Sequence, residues 1–294
     1  CFGLKIMLIF ELLNYFFMIH KELTWNTDDG IQLFGQYWKP DDEKIKAVIC
    51  LVHGFGEHSS RYVHVADFFT KNNYALLAFD LRGHGKSKGP RGHASSYDAL
   101  LNDVDVLLAK ADTLFPNCKK ILYGHSMGGG IVANFILRRK STIEGAILSS
   151  PFFKTAFEPP KIKIMAGKFF ENLLPTLSLP SGLDVSAISR DQKVVDKYSK
   201  DPLVHGKISA KMGMILIDNG QWALDNASKL STPVLMFHGT ADQLTSFAAS
   251  ESFAQNAGDK IKFVPYEGLF HETHNEPEKA TVLAEMLQFC NSIL

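Results

Sequence analysis

Gly124-His125-Ser126-Met127-Gly128 lies between an apolar run, Ile121-Leu122-Tyr123, and a helix-like stretch, Met127–Arg139. A serine with glycine two residues before it and two after is the sequence form of a sharp strand-to-helix turn. Such a turn strains the serine backbone and lifts its hydroxyl clear of the sheet, and the glycines let strand and helix approach closely. The hydroxyl is then available to attack a carbonyl carbon. The Met127 amide, at the start of a helix, would face the charge that develops on the carbonyl oxygen. A second amide for that charge is expected in a loop after an earlier strand. Leu51-Val52-His53-Gly54-Phe55-Gly56 supplies such a loop, with Phe55 as the donor.

A serine nucleophile needs a base, and the base needs an orienting acid. In the chain order that goes with this turn the acid follows the serine and the histidine comes last. Val234–Asp242 reads as strand, glycine turn and aspartate, and the run Lys262–Tyr266 is followed by Glu267-Gly268-Leu269-Phe270-His271. Ser126, Asp242 and His271 are therefore expected at one carboxyl edge of a sheet, where open α/β folds build their sites. His271 would take the serine proton and return it to the leaving group, while Asp242 would fix the imidazole tautomer. His274, Asp80, Asp218 and Asp225 compete for these roles, each from a poorer strand-and-loop context.

Those residues need a scaffold. Strands are predicted at Ile31–Trp38, Ala47–His53, Tyr74–Asp80, Lys120–Tyr123, Gly145–Ser149, Val234–His238 and Lys262–Tyr266. Helices are predicted at Val63–Asn72, Tyr97–Leu114, Met127–Arg139, Ser246–Asn256 and Glu278–Ile293. Runs such as AVICLV and ALLAF are continuously apolar, the mark of strands buried on both faces of a parallel sheet. Asp29-Gly30 signals a hairpin turn near the start. The whole predicts a doubly wound α/β fold, a mostly parallel central sheet flanked by helices. The alternation breaks between residues 152 and 228, a proline-studded stretch without a clear strand, which reads as an inserted helical cap. Its apolar residues, among them Phe152, Phe153, Phe157, Ile162, Ile164, Met165, Phe169 and Phe170, are expected to pack an apolar face on the core. The core is then 21–151 and 229–294.

Composition narrows the partners. The chain has 294 residues, 46% hydrophobic, with 31 basic residues balancing 31 acidic ones, so no net field recruits nucleic acid. Cys1, Cys50, Cys118 and Cys290 are widely spaced, with no sign of a zinc site or disulfide framework. Residues 1–20 form a hydrophobic extension, apolar from Leu4 to Ile19 apart from Lys5, Glu11 and Asn14. Glu11 makes a poor membrane span, at about 2.5–3.5 kcal/mol for a central acidic residue. The segment reads either as sequence ahead of the domain or as an interfacial anchor. The triad chemistry calls for no metal and no organic cofactor.

Longer strings then carry a resemblance. HGFGEHSSRY (53–62), DLRGHGKSKGPRGH (80–93), GHSMGG (124–129) and FHETHNE (270–276) resemble the monoacylglycerol lipases and the related lysophospholipase-like hydrolases, over nearly the whole chain from about residue 22. The resemblance implies an α/β-hydrolase fold with a helical cap, a lipid ester substrate for which the apolar residues of 152–170 would also line an acyl tunnel, and release of fatty acid and glycerol through an acyl-enzyme on Ser126. It implies a cytoplasmic protein with peripheral membrane contact through the cap or the N-terminal segment. By motif position Glu57, Arg61 and His125 would hydrogen-bond the polar head group, or else form a structural ion pair that holds the loop. A lysophospholipase or broad carboxylesterase would use the same triad under a differently shaped cap. A non-catalytic binding protein on the same fold is the alternative of another class.

Overall fold

The apolar runs become strands with no face left to water. In a computed structural model, which describes residues 18–41, 44–157 and 161–294, β3 (Ala47–Val52), β4 (Ala75–Phe79) and β6 (Gly145–Ser149) are buried along their whole length. So is β9 (Val234–Gly239), while β5 (Lys119–His125) shows water only Lys119. β1 (Met18–Asn26), β2 (Gln32–Pro40) and β10 (Ile261–Tyr266) complete a sheet of order β1-β2-β4-β3-β5-β6-β9-β10. Strands from β4 to β10 pair in parallel, and β1 and β2 are antiparallel to their neighbours. This is the mostly parallel, helix-flanked α/β architecture that the sequence predicts.

The Asp29-Gly30 turn closes the β1–β2 hairpin, with Gly30 at φ 81° and the Thr27 amide donating to Ile31 O at 2.9 Å. β1 is absent from the predicted strands. Met18, Ile19 and His20, which the sequence reading leaves in the extension, pair with Pro40, Lys39 and Trp38. The rest of that extension, residues 1–17, lies outside the described residues.

Helices α1 (Val63–Thr70), α2 (Tyr97–Leu114), α3 (Met127–Arg138), α7 (Phe247–Ala257) and α8 (Lys279–Ser292) flank the sheet. One apolar layer gathers residues of α2, α3 and α7, and the opposite layer those of α1 and α8. Between residues 152 and 228 stand α4 (Lys161–Leu173), α5 (Gln192–Lys200) and α6 (Ala210–Asp225). This stretch also holds a short antiparallel pair, β7 (Ser178–Pro180) with β8 (Lys207–Ser209), which was not expected. Three-residue strands, one ending in proline, leave no alternation in the sequence to detect.

The expected apolar role of these residues divides. Phe153 is buried and stacks on Phe253 with ring centroids 4.5 Å apart, so it belongs to the core. Ile162, Met165, Phe169 and Leu173 instead face outward at 76%, 71%, 65% and 63% exposure. Periodicity announces an apolar helix face but not which surface covers it.

Candidate active site

The turn after β5 has the strain its sequence demands. Ser126 sits at φ 53°, ψ −118°, in the positive-φ region that non-glycine residues rarely occupy. Its amide donates to Ser149 O at 2.9 Å, and its carbonyl accepts from the amides of Gly130 at 3.0 Å and Phe152 at 2.8 Å. A Cβ on Gly124 would come within 2.5 Å of Gly128 O, and one on Gly128 would collide with Val52 O and His53 O. The two glycines are therefore what lets α3 start directly beside β3 and β5.

The loop after β3 closes over this elbow. A Cβ on Gly54 would lie 3.2 Å from Ser126 Cβ. The Gly54 amide is committed to Glu57 Oε1 at 2.7 Å. Among the described residues neither the Phe55 amide nor the Met127 amide has a hydrogen-bond acceptor. Both amides are thus unengaged, one on the loop after β3 and one at the first residue of α3.

Asp242 and His271 are brought together from loops 29 residues apart in sequence, with Asp242 Oδ2 accepting from His271 Nδ1 at 2.7 Å. Oδ1 accepts the Leu244 and Thr245 amides at 2.7 and 3.1 Å. Two further side chains meet Oδ2, His238 Nε2 and Thr245 Oγ1, each at 2.9 Å. Burial by itself would raise the Asp242 carboxyl, but the His271 charge and the donors from His238 and His271 hold it well below the usual carboxylate range. Burial by itself would lower His271, and the Asp242 charge and hydrogen bond outweigh it, raising the imidazole above its ordinary 6.5.

Ser126 and His271 share one rim. The Ser150 hydroxyl donates to His271 O at 2.8 Å, one residue from the Ser149 carbonyl that holds the Ser126 amide. The ring of His125, adjacent to the serine, lies 4.9 Å from the ring of His271. With Nδ1 engaged by Asp242, the imidazole offers Nε2 as its free nitrogen. Among the described residues neither that nitrogen nor the Ser126 hydroxyl has a hydrogen-bond partner. The competing histidine fares differently: His274 stacks on Tyr62 at 4.9 Å, and burial drops it to about 3.

Glu57 and Arg61 are committed to internal partners. Glu57 Oε1 also accepts the Tyr62 hydroxyl at 2.7 Å, and Oε2 accepts Arg61 Nη1 at 2.5 Å. Arg61 reaches on to Glu272 through two bonds of 2.7 Å and lies over the Tyr198 ring of α5 at 4.6 Å. One guanidinium therefore ties the loop after β3 to the residue next to His271. Burial raises Glu57, whereas the charge and hydrogen bonds of Arg61 overcome the burial of Glu272 and hold it below the usual carboxylate range. His125 Nδ1 meets Ser149 Oγ at 3.2 Å.

His238, Thr245 and Glu272 are the site residues that sequence reasoning missed. Glu272 could have been suspected from its place beside His271 in the FHETHNE string. Among the described residues no cluster of histidine, cysteine and acidic groups could hold a metal ion. Cys50, Cys118 and Cys290 are free.

Residues 43–278 match the family described as Serine aminopeptidase, S33. A monoacylglycerol lipase of Mycolicibacterium smegmatis is 34% identical over 267 residues, which are 90% of this chain and 95% of that protein. An abhydrolase domain-containing protein of Dictyostelium discoideum is 33% identical over 266 residues, and the chain spans 28% of that relative's length. The crystal structure of Paleococcus ferrophilus monoacylglycerol lipase is similar at a TM-score of 0.76 and 29% identity, covering 92% of this chain and 99% of that one.

Proposed function

The chain belongs to the Serine aminopeptidase, S33 family, and from that premise we propose that it is a monoacylglycerol lipase, a serine ester hydrolase working through an acyl-enzyme on Ser126. His271 Nε2 removes the Ser126 proton as Oγ attacks the ester carbonyl. The amides of Phe55 and Met127 receive the oxyanion. The protonated imidazole then gives its proton to the glycerol oxygen, and the carbon–oxygen bond breaks. Water deprotonated by His271 attacks the acyl-serine, which releases the fatty acid and restores the hydroxyl. Asp242 stabilises the imidazolium in both halves without becoming protonated itself.

The observation that carries this reading is the 2.7 Å Asp242–His271 bond at the rim of a serine with φ 53°. Of the residues assigned to the head group, His125 is the one left to meet a glycerol hydroxyl, since Glu57 and Arg61 act by holding the loops. The relatives that share most of this chain's length support a monoacylglycerol as the substrate. Burial of each methylene contributes about 0.8 kcal/mol, so longer acyl chains should be favoured until the pocket is filled.

Membrane contact belongs to the same proposal. Ile162, Met165, Phe169 and Leu173 share one face of α4, and the exposed Leu177 and Leu179 follow it. An apolar stripe of this kind suits the surface of an aggregated lipid. Among the described residues no helix is long and apolar enough to cross a bilayer. The test is hydrolysis of monoacylglycerols of graded chain length beside lysophospholipids and p-nitrophenyl esters, by wild type and Ser126→Ala. Preferred cleavage of the monoacylglycerols, lost in the variant, is expected. Activity retained by Ser126→Ala, or confined to lysophospholipids, overturns the assignment.

A further inference from the structure

The carboxylate that orients His271 holds a second imidazole on the same oxygen. His238, the fifth residue of β9, is fully buried. Its Nε2 lies 2.9 Å from Asp242 Oδ2, and its Nδ1 lies 2.8 Å from Ser250 Oγ on α7. A carboxylate only accepts, so Nε2 carries the hydrogen and Nδ1 is left to accept the Ser250 hydroxyl. Phe247 meets the ring edge-on at 5.8 Å. This histidine therefore has one tautomer and one orientation, both directed at Oδ2.

We propose that His238 is a positioning residue that acts on the base through Asp242, drawing charge from the oxygen that His271 uses. The inference rests on the Ser126–His271–Asp242 reading above. Oδ1 is already fixed by the Leu244 and Thr245 amides, so the carboxylate keeps its plane without His238. What His238 adds is a competing donor on Oδ2. A carboxylate oxygen that accepts from two imidazoles stabilises the His271 imidazolium less. His238 thereby restrains the rise that Asp242 imposes on His271 and keeps more of the base unprotonated near neutral pH.

The other titratable groups around His271 are Glu272 and Glu57, whose charges push it up, His125, whose ring lies 4.9 Å away, and His274, which packs on His125 from the following turn. Arg61 stands between the two glutamates. None of these touches Oδ2, so a change at residue 238 leaves them in place.

The experiment is the pH profile of kcat/KM for a water-soluble short-chain ester, with wild type, His238→Leu, His238→Gln and Ser250→Ala. Hydrogen bonds to charged groups contribute enough that losing one should move the His271 midpoint up by about half a pKa unit. His238→Leu should thus lose about threefold on the acid limb while the plateau changes by less than about twofold. His238→Gln keeps a donor and should follow wild type. Ser250→Ala, which frees the ring while leaving it in place, should move the midpoint the same way by less, and it decides the matter should His238→Leu not fold. A His238→Leu or Ser250→Ala profile superimposed on wild type overturns the inference. So does a lowered plateau with an unmoved midpoint, the mark of a purely structural role, or a midpoint displaced downward. Ser126→Ala runs alongside: its inactivity with a normal His238→Leu profile sinks only this inference, whereas its activity sinks the catalytic reading.

Discussion

Arg61→Met removes a side chain that joins the loop after β3 to the loop carrying His271. Arg61 is nearly buried, and so are its partners Glu57 and Glu272. Methionine keeps much of the stem and its packing against Tyr198 but leaves two carboxylates facing each other without a cation. Breaking a buried pair by removing one partner destabilises by about 3–5 kcal/mol. For a domain of this size roughly 2–4 °C of melting temperature goes with each kcal/mol, so a fall of about 6–20 °C is expected by circular dichroism. Activity should fall as well, because Glu57 holds the Gly54 amide and Glu272 follows His271. A misplaced site commonly loses up to about a hundredfold in rate, and the loss should be in kcat measured well below the melting temperature. Arg61→Lys keeps the charge but not the bidentate geometry and should fall between the two. A melting temperature within about 2 °C of wild type, with unchanged kcat, would refute the strut.

Gly128→Ala should abolish activity and lower stability sharply, since the added methyl meets the backbone of β3 and cannot be relieved by a rotamer change; a soluble variant with wild-type turnover would contradict this. Activity depends on unprotonated His271, whose value is raised, so the acid limb of kcat/KM should lie above 6.5, and a midpoint well below that would count against the Asp242 pairing. Stability runs the other way: a group raised in the folded state contributes fully below its unfolded 6.5 and loses that contribution as pH climbs through the folded value. The melting-temperature advantage of wild type over Asp242→Asn due to this pair should therefore narrow in mild alkali. Met165→Glu with Phe169→Glu alters two exposed residues of α4, and should cut hydrolysis of monoacylglycerol in anionic vesicles about tenfold, the loss of an apolar contact of this size. A soluble p-nitrophenyl ester should be turned over within about twofold of wild type; equal losses on both substrates would refute surface docking.

Much of the scaffold was legible because it is local. AVICLV and ALLAF have no polar residue and can only be buried, and the glycines around Ser126 state the turn they make. Asp242 and His271 could be nominated because each follows a strand and a glycine-containing loop. The missed residues answer to pairings that a linear reading cannot see. His238 sits inside an apolar strand run and reads as packing, while its two partners lie on a loop and on α7. Arg61 and Glu272 are 211 residues apart, so the motif showed the ions but not which of them would pair. MIHKELTWN alternates weakly and follows an apolar segment, so β1 shows itself only through its register with β2. The apolar face of α4 was visible as a pattern. Its outward direction was not, because periodicity gives a face and only packing decides what that face meets.

A Ser126 hydroxyl activated by His271 should form a covalent adduct with an electrophile that mimics an ester carbonyl. Incubation with a fluorophosphonate, followed by proteolysis and mass spectrometry, tests it directly. One adduct is expected on the peptide bearing Ser126, lost in Ser126→Ala and formed far more slowly in a folded His271→Ala. An unmodified Ser126 in folded wild-type protein, or labelling at an undiminished rate without the imidazole, would contradict it.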